Sequence, residues 1–284
     1  MNGPFHAGEL AAQRLAGQAS AGGAIYDAMP AQHREFFAAQ PFLLMATVAA
    51  DGWPVAGVLS GAPGFAASPD PHTLRLAVAA ELPAGAQVGL LGLDFATRRR
   101  NRVNGVVAAA GPQGLRIEVR QSFGNCPKHI VQRDLRALPA GPGGVLHDGA
   151  AGQPFVGLDQ EARAVVARAD TFFIASSGGA HGADMSHRGG PRGFVRVDGD
   201  SLLVPDFPGN RYFNTLGNLQ LDERAALLFI DYASGDLLQL RGRATVLWPA
   251  DAANGAERSW RFAVEGGWRQ CAALPLRWDE RAAV

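Results

Sequence analysis

The chain has 284 residues, 47% hydrophobic and 18% charged, and its 26 basic side chains balance 26 acidic ones to a formal net charge of zero. This length and apolar content exclude a disordered chain and provide the core of one compound domain or two smaller ones. The neutral balance excludes a general pull toward nucleic acid or an anionic membrane, so any anion site must be built locally.

Residues 1–30 read as an N-terminal helical segment, in which His6, Ala7, Gly8, Glu9 and Gln13 open a helix by capping or lid packing. The N-terminus lacks a basic stretch followed by an apolar one, so no signal peptide is expected. Next come a short amphipathic helix and an apolar strand over residues 42–48, then a turn and a second strand. The apolar run ends at Asp51 and is too short to span a bilayer. Residues 88–105 contain an acidic-aromatic-small-hydroxyl turn (Asp94, Phe95, Ala96, Thr97) and a basic run holding Arg98, Arg99, Arg100 and Arg102. A solvated strand is the ordinary reading of that run. A nucleic-acid patch would want interleaved aromatics, which are absent. In a third reading, alternate arginines point across to a phosphate held by the other half of the chain.

Residues 115–119 alternate as a strand and lead to Asn125, Cys126, Lys128 and His129 at a turn and helix start. Lys128 suits a ligand's charge, and Cys126 reads as a small buried residue, since no third group orients a Cys126/His129 pair. Residues 138–144 are rich in Gly and Pro and read as a loop within a linker over 138–158. Cys126 and Cys271 are the only cysteines and form no CxxC, which fits a reducing cytoplasm.

The second half repeats the first. At an offset of 129, residues 31–65 overlay 160–194 without a gap, placing Gly61, Gly64 and Phe65 on Gly190, Gly193 and Phe194. At an offset of 137, residues 88–105 overlay 225–242. The offset grows by eight, so the second half carries extra residues, in the region of 208–219. We assign residues 31–137 to a first half and 159–284 to a second. Beyond Gly242 come a strand over 244–248, a break at Pro249 and a tail with Trp260, Trp268 and Trp278. Short strands, Gly/Pro turns and few helices make the expected fold class mainly β, an antiparallel barrel.

The densest chemistry lies in residues 184–219. Ser186 and Arg188 share one face of a strand, either as two ligand contacts or as a strand end in solvent. Asn210, Arg211, Asn214, Thr215 and Asn218 follow a Pro-Gly turn and either open a helix whose free N–H groups face an anion or belong to a capped surface helix packed by Phe213, Leu216 and Leu219. HExxH, GxSxG, P-loop and GxGxxG signatures are absent, so neither a metal site nor a classical dinucleotide domain is expected.

Taken in order, His6 to Glu9, the run from Arg98 to Gly105, Gly124 to Pro127, Ser186 to Gly190, Gly209 to Leu219 and Leu238 to Gly242 make the chain resemble the pyridoxamine 5′-phosphate oxidase-related flavoproteins. This is the FMN-binding split-barrel superfamily, and more narrowly the chain resembles its duplicated-barrel branch, sometimes fused to a ferredoxin-reductase-like module. The resemblance implies a duplicated split β-barrel with FMN in a groove between two barrels. In the superfamily two subunits form that groove; here two halves could supply both walls, giving a homodimer or a pseudo-dimeric monomer with a degenerate first-half site. By position, Arg188 and Arg211 would bind the FMN phosphate, with Ser186, Asn210 and Thr215 as neutral donors. Gln239 would touch the isoalloxazine edge, and Asn125 and Lys128 would face the cofactor from the other half. The tail from Leu274 to Arg281 does not reproduce the oxidase's Arg-Leu-x-Pro segment, so pyridoxamine phosphate is not the expected substrate. The resemblance implies a cytoplasmic FMN-dependent oxidoreductase, fed by NAD(P)H or a separate reductase. A non-catalytic flavin- or haem-binding protein on the same scaffold is the alternative. No catalytic acid or base is identified.

Overall fold

Phe42, Leu44 and Ala46 leave one face of their strand and Leu43 and Met45 the other, yet all five are buried. A strand buried on both faces needs a layer on each side. One layer here is the interior of its own barrel, and the other is a second barrel. The computed structural model describes residues 3–137, 145–149, 151–248 and 258–281. The expected loop at 138–144 and the break at Pro249 lie outside the described residues.

The first half contains helix α1 (Ala7–Leu15), strand β1 (Ile25–Tyr26) and helix α2 (Ala31–Ala39). Strands β2 (Phe42–Val48), β3 (Pro54–Ser60), β4 (Ala66–Asp70) and β5 (Thr73–Leu76) follow. Then come β6 (Gln87–Asp94), β7 (Arg99–Gly111), β8 (Gly114–Gly124) and β9 (Arg133–Ala137). The connection carries β10 (Val145–His147) and β11 (Gln153–Val156). The second half has α3 (Gln160–Arg168), β12 (Thr171–Ser177), β13 (Ala183–Gly189), β14 (Arg196–Asp198) and β15 (Ser201–Asp206). Helix α4 (Asn214–Leu221) precedes β16 (Arg224–Ile230), β17 (Leu237–Leu247), β18 (Arg258–Gln270) and β19 (Leu276–Glu280).

The first sheet runs β10-β3-β2-β6-β7-β8-β5-β4, and the second runs β13-β12-β16-β17-β18-β15-β14. Without β10, each strand of the first has its counterpart at the same place in the second. Register agrees as well: Leu44 lies opposite Leu91 as Phe173 lies opposite Leu228, and Arg102 opposite Leu91 as Gln239 opposite Leu228. The connection between β15 and β16 holds α4, whereas residues 77–86 between β5 and β6 form no helix. The fold is a mainly β pair of split barrels.

Three apolar clusters account for the packing. One fills each barrel, and the third joins Leu44, Ala56 and Leu91 to Phe173, Met185 and Leu228 across the seam. The tail closes that seam. Strand β19 pairs antiparallel with β9, and Trp278 packs edge-on against Phe42, with ring centroids 5.1 Å apart. The barrels approach so closely that a Cβ at Gly89 would lie 2.4 Å from the Ala183 carbonyl oxygen. Gly89→Ala is therefore expected to cost about 1–3 kcal/mol by forcing backbone apart, read as a lower melting temperature. An unchanged melting temperature would show that the seam yields freely. Among the described residues no helix is long and apolar enough to cross a membrane.

Candidate functional site in the cleft between the barrels

The loop after β15 runs over the C-terminal end of β13 and turns sharply into α4. Arg211 and Phe213 both have left-handed backbone there, with φ of 63° and 62°. Such φ values are uncommon outside glycine and concentrate where surrounding structure fixes a site. Phe213 caps α4 without a side-chain bond, so the helix presents its first N–H groups. Across the gap, the turn after β8 brings Asn125, Cys126, Lys128 and His129, the last also left-handed at φ 61°. A Cβ at Gly189 would lie 2.0 Å from the His129 carbonyl oxygen, so glycine there lets the two halves meet beneath the cleft.

The cleft gathers Ser186, Arg188, Asn210, Arg211 and Thr215 from the second half, and Asn125 and Lys128 from the first. Seven of the eight residues singled out in the sequence thus share one wall-to-wall site. Gln239 is not brought to it. Its Oε1 accepts from Ala56 N at 2.7 Å, in the groove related to this cleft by the internal repeat. There it stands where Arg102 stands here.

Arg100 and Arg102, which the sequence offered only in the third reading of the basic run, line the cleft, and so do His187, Asp206 and Arg258, which were not singled out as site residues. The solvated-strand reading of the basic run is corrected at its C-terminal end, where Arg102 is 3% exposed. Its Nη1 donates to Asn214 Oδ1 at 3.2 Å and its Nη2 to Asp184 Oδ1, both in the other half. Arg100 donates from Nε to the Cys126 carbonyl at 3.0 Å, and from Nη1 to His187 Nδ1 at 2.8 Å. The alternation of Arg100 and Arg102 was the available signal. Arg258 carried none, because only tertiary structure returns β18 to this edge.

Charge in the cleft is one-sided. Five arginines and Lys128 line it, and Asp206 is the sole carboxylate among its lining residues. Arg188 Nη1 reaches Asp206 Oδ1 at 2.8 Å and Arg258 Nη1 reaches Oδ2 at 3.2 Å. Among the described residues, twelve buried side-chain polar atoms have no partner, and six belong to cleft residues. They are Arg102 Nε, Asn125 Oδ1, His187 Nε2, Arg188 Nε, Asn210 Nδ2 and Thr215 Oγ1. A buried polar group without a partner costs about 1–3 kcal/mol, so such a concentration marks where a polar ligand belongs.

Helix α1 braces this wall from behind. Glu9 Oε2 accepts from His6 N at 2.9 Å, completing the capping box, while Oε1 accepts from Asn214 Nδ2. Gly8 and Gly217 allow the two helices to touch at backbone distance. Asp184 accepts further from Asn104 and Asn218, each at 2.7 Å. Burial, and then the nearby Asp184 carboxylate, push Glu9 up to about 7. No group of His, Cys, Asp and Glu suited to a metal ion occurs among the described residues.

No curated protein matches this chain. Residues 158–270 match the family described as pyridoxamine 5′-phosphate oxidase. Among solved structures, a general stress protein 26-related protein of the pyridoxinephosphate oxidase family from Clostridium acetobutylicum is 13% identical. That match covers 42% of this chain and 92% of the other, with a TM-score of 0.30. An FAD-binding protein from Mesorhizobium loti is 11% identical over 42% of this chain and 98% of its own, with a TM-score of 0.30. HutZ, a haem storage protein from Vibrio cholerae, is 11% identical over 38% and 89% respectively, with a TM-score of 0.26. The family likeness thus falls on residues 158–270, the barrel that supplies Ser186, Arg188, Asn210, Arg211 and Thr215 to the cleft.

Proposed function

We propose that the inter-barrel cleft binds FMN by its phosphate and that the chain is an FMN-dependent oxidoreductase. The observation that carries this reading is the set of unpartnered buried donors (Arg102 Nε, Arg188 Nε, Asn210 Nδ2 and Thr215 Oγ1) in a cleft of one-sided charge. A phosphate monoester is near dianionic at neutral pH and offers three acceptor oxygens, which suits guanidinium forks and a helix N-terminus together. Arg188 and Arg211 take the phosphate in this reading, with Ser186, Asn210 and Thr215 as neutral donors. Asn125 and Lys128 close the site from the first half. Asp206 holds Arg188 from the opposite side, which fixes the fork before a ligand arrives. Gln239 takes no part in holding the cofactor.

Bound FMN would supply the redox chemistry, while the protein orients it and limits water. Both walls come from one chain, which favours a pseudo-dimeric monomer over a homodimer-built site. Electrons would come from NAD(P)H or a separate reductase. The experiment is titration with FMN, followed by flavin absorbance and fluorescence. Arg211→Ala is expected to weaken binding by about 2 kcal/mol, roughly thirtyfold, with the fold intact. A folded protein that does not bind FMN removes the proposal. Tight FMN binding without reduction by NADH, NADPH or a reductase would instead favour the non-catalytic carrier, for which haemin is the parallel titration.

A further inference from the structure

His187 lines the cleft, is 7% exposed and meets Phe173 edge-on at 5.7 Å. Its Nδ1 lies 2.8 Å from Arg100 Nη1. A guanidinium has only donors, so Nδ1 must accept and the ring proton must sit on Nε2. That Nε2 is buried and has no partner. The ring therefore presents one N–H donor, committed to nothing in the protein.

Arg100 is itself held, by Nε on the Cys126 carbonyl at 3.0 Å and by Nη2 near Cys126 Sγ at 3.8 Å. A chain of contacts thus runs from the turn after β8, through a first-half arginine, to a second-half histidine. The charged groups around His187 are Arg100 on β7, Arg188 on β13, Arg133 on β9 and His129 in the facing turn. Burial first, and then these cations, hold the imidazole well below its ordinary value. Two of these cations are themselves paired, Arg188 with Asp206 at 2.8 Å and Arg133 with both oxygens of Asp170 at 2.6 Å.

We propose that His187 is a neutral, tautomer-locked hydrogen-bond donor to the phosphorylated ligand, and that Arg100 is the positioning residue that keeps the lock. This rests on the reading of the cleft as an FMN site. A neutral donor adds direction without adding charge, in a site where positive charge is already abundant. It also keeps its charge and its tautomer when the pH changes, as a surface histidine does not.

The test is ¹⁵N-edited NMR of the imidazole nitrogens, with FMN as the probe. Expected is the Nε2–H tautomer from pH 5 to 8, with its resonance moved by FMN. His187→Gln keeps an acceptor for Arg100 and an N–H donor, so its FMN affinity should stay within about threefold, whereas His187→Leu should lose roughly tenfold or more. Arg100→Met removes the donor that fixes the tautomer, so the ring nitrogens should report a mixture of the two neutral tautomers and FMN affinity should fall, while burial and the remaining cations keep the ring neutral. A wild-type His187 that titrates between pH 5 and 8 overturns the proposal, and so does a His187→Leu protein that binds FMN normally. The wild-type spectrum needs no variant to fold. Failure of wild type to bind FMN at all would remove the cleft assignment as well, whereas normal FMN binding with a silent imidazole removes this inference alone.

Discussion

Replacing Arg102 with leucine is expected to lower folding stability by about 3–5 kcal/mol, the scale of breaking one side of a buried ion pair. Arg102 and Asp184 are both almost wholly buried, and they join β7 of one barrel to β13 of the other. Without the guanidinium, the Asp184 carboxylate keeps only the amide donors of Asn104 and Asn218. Leucine cannot replace a charge there, and Asn214 loses a donor at the same stroke. Urea unfolding monitored by tryptophan fluorescence reads the loss. Arg102→Lys restores charge but not the two-pronged geometry, so it should recover only part of it. A change below about 1 kcal/mol for the leucine variant would show that the pair contributes no more than a surface one.

The second large effect is a pH dependence carried by Glu9. Its folded value is about 7 against an ordinary 4.5, so the folded chain keeps a proton that the unfolded chain releases. Below 4.5 both states are protonated and Glu9 contributes nothing to the pH dependence. As pH rises from there to about 7, stability is lost, and above that the loss is complete. A shift of this size corresponds to about 3 kcal/mol. His6, His33, His129, His147 and His187 are all lowered, chiefly by burial. For them the unfolded chain binds more protons, so their contribution rises with pH through the range just below 6.5 and opposes that of Glu9. The informative quantity is therefore the difference between wild type and Glu9→Gln. Wild type should lose ground steadily between pH 4.5 and 7 relative to the variant. Parallel curves would mean that Glu9 is ionised at neutral pH in the folded protein.

Strands were legible wherever one rule decided them. The run at β2 is apolar on both faces, and its overlay on β12 follows the sheet order of both barrels. The second-half side of the cleft was legible because Ser186, Arg188, Asn210, Arg211 and Thr215 are close in sequence as well as in space. What the sequence could not decide was which reading of Arg100 and Arg102 holds. Local pattern makes a basic strand solvated, and only docking of the second barrel turns it into a buried wall. Gln239 shows the opposite failure. A matching position in the strand does not say which of two related grooves the residue faces, and register places it opposite Leu228, against the backbone of β3. The capping box of α1 was readable from His6 and Glu9, but not the contact of Glu9 with Asn214, some 205 residues away.

Strand β10 lies along β3 at the groove that holds Gln239, pairing Leu146 with Leu59 and His147 with Val58. Among the described residues, its counterpart edge on β13 has no such strand. Two identical subunits around a twofold axis must carry every pocket in duplicate, and any change to one alters both. Joining the halves in one chain removes that constraint. One groove can be filled with the chain's own connecting strand and spend its side chains on cohesion, while the other accumulates charge and unsatisfied donors that cost stability. The filled groove can in this way offset the cost of the open one, a division of labour that a symmetric assembly cannot reach by point mutation.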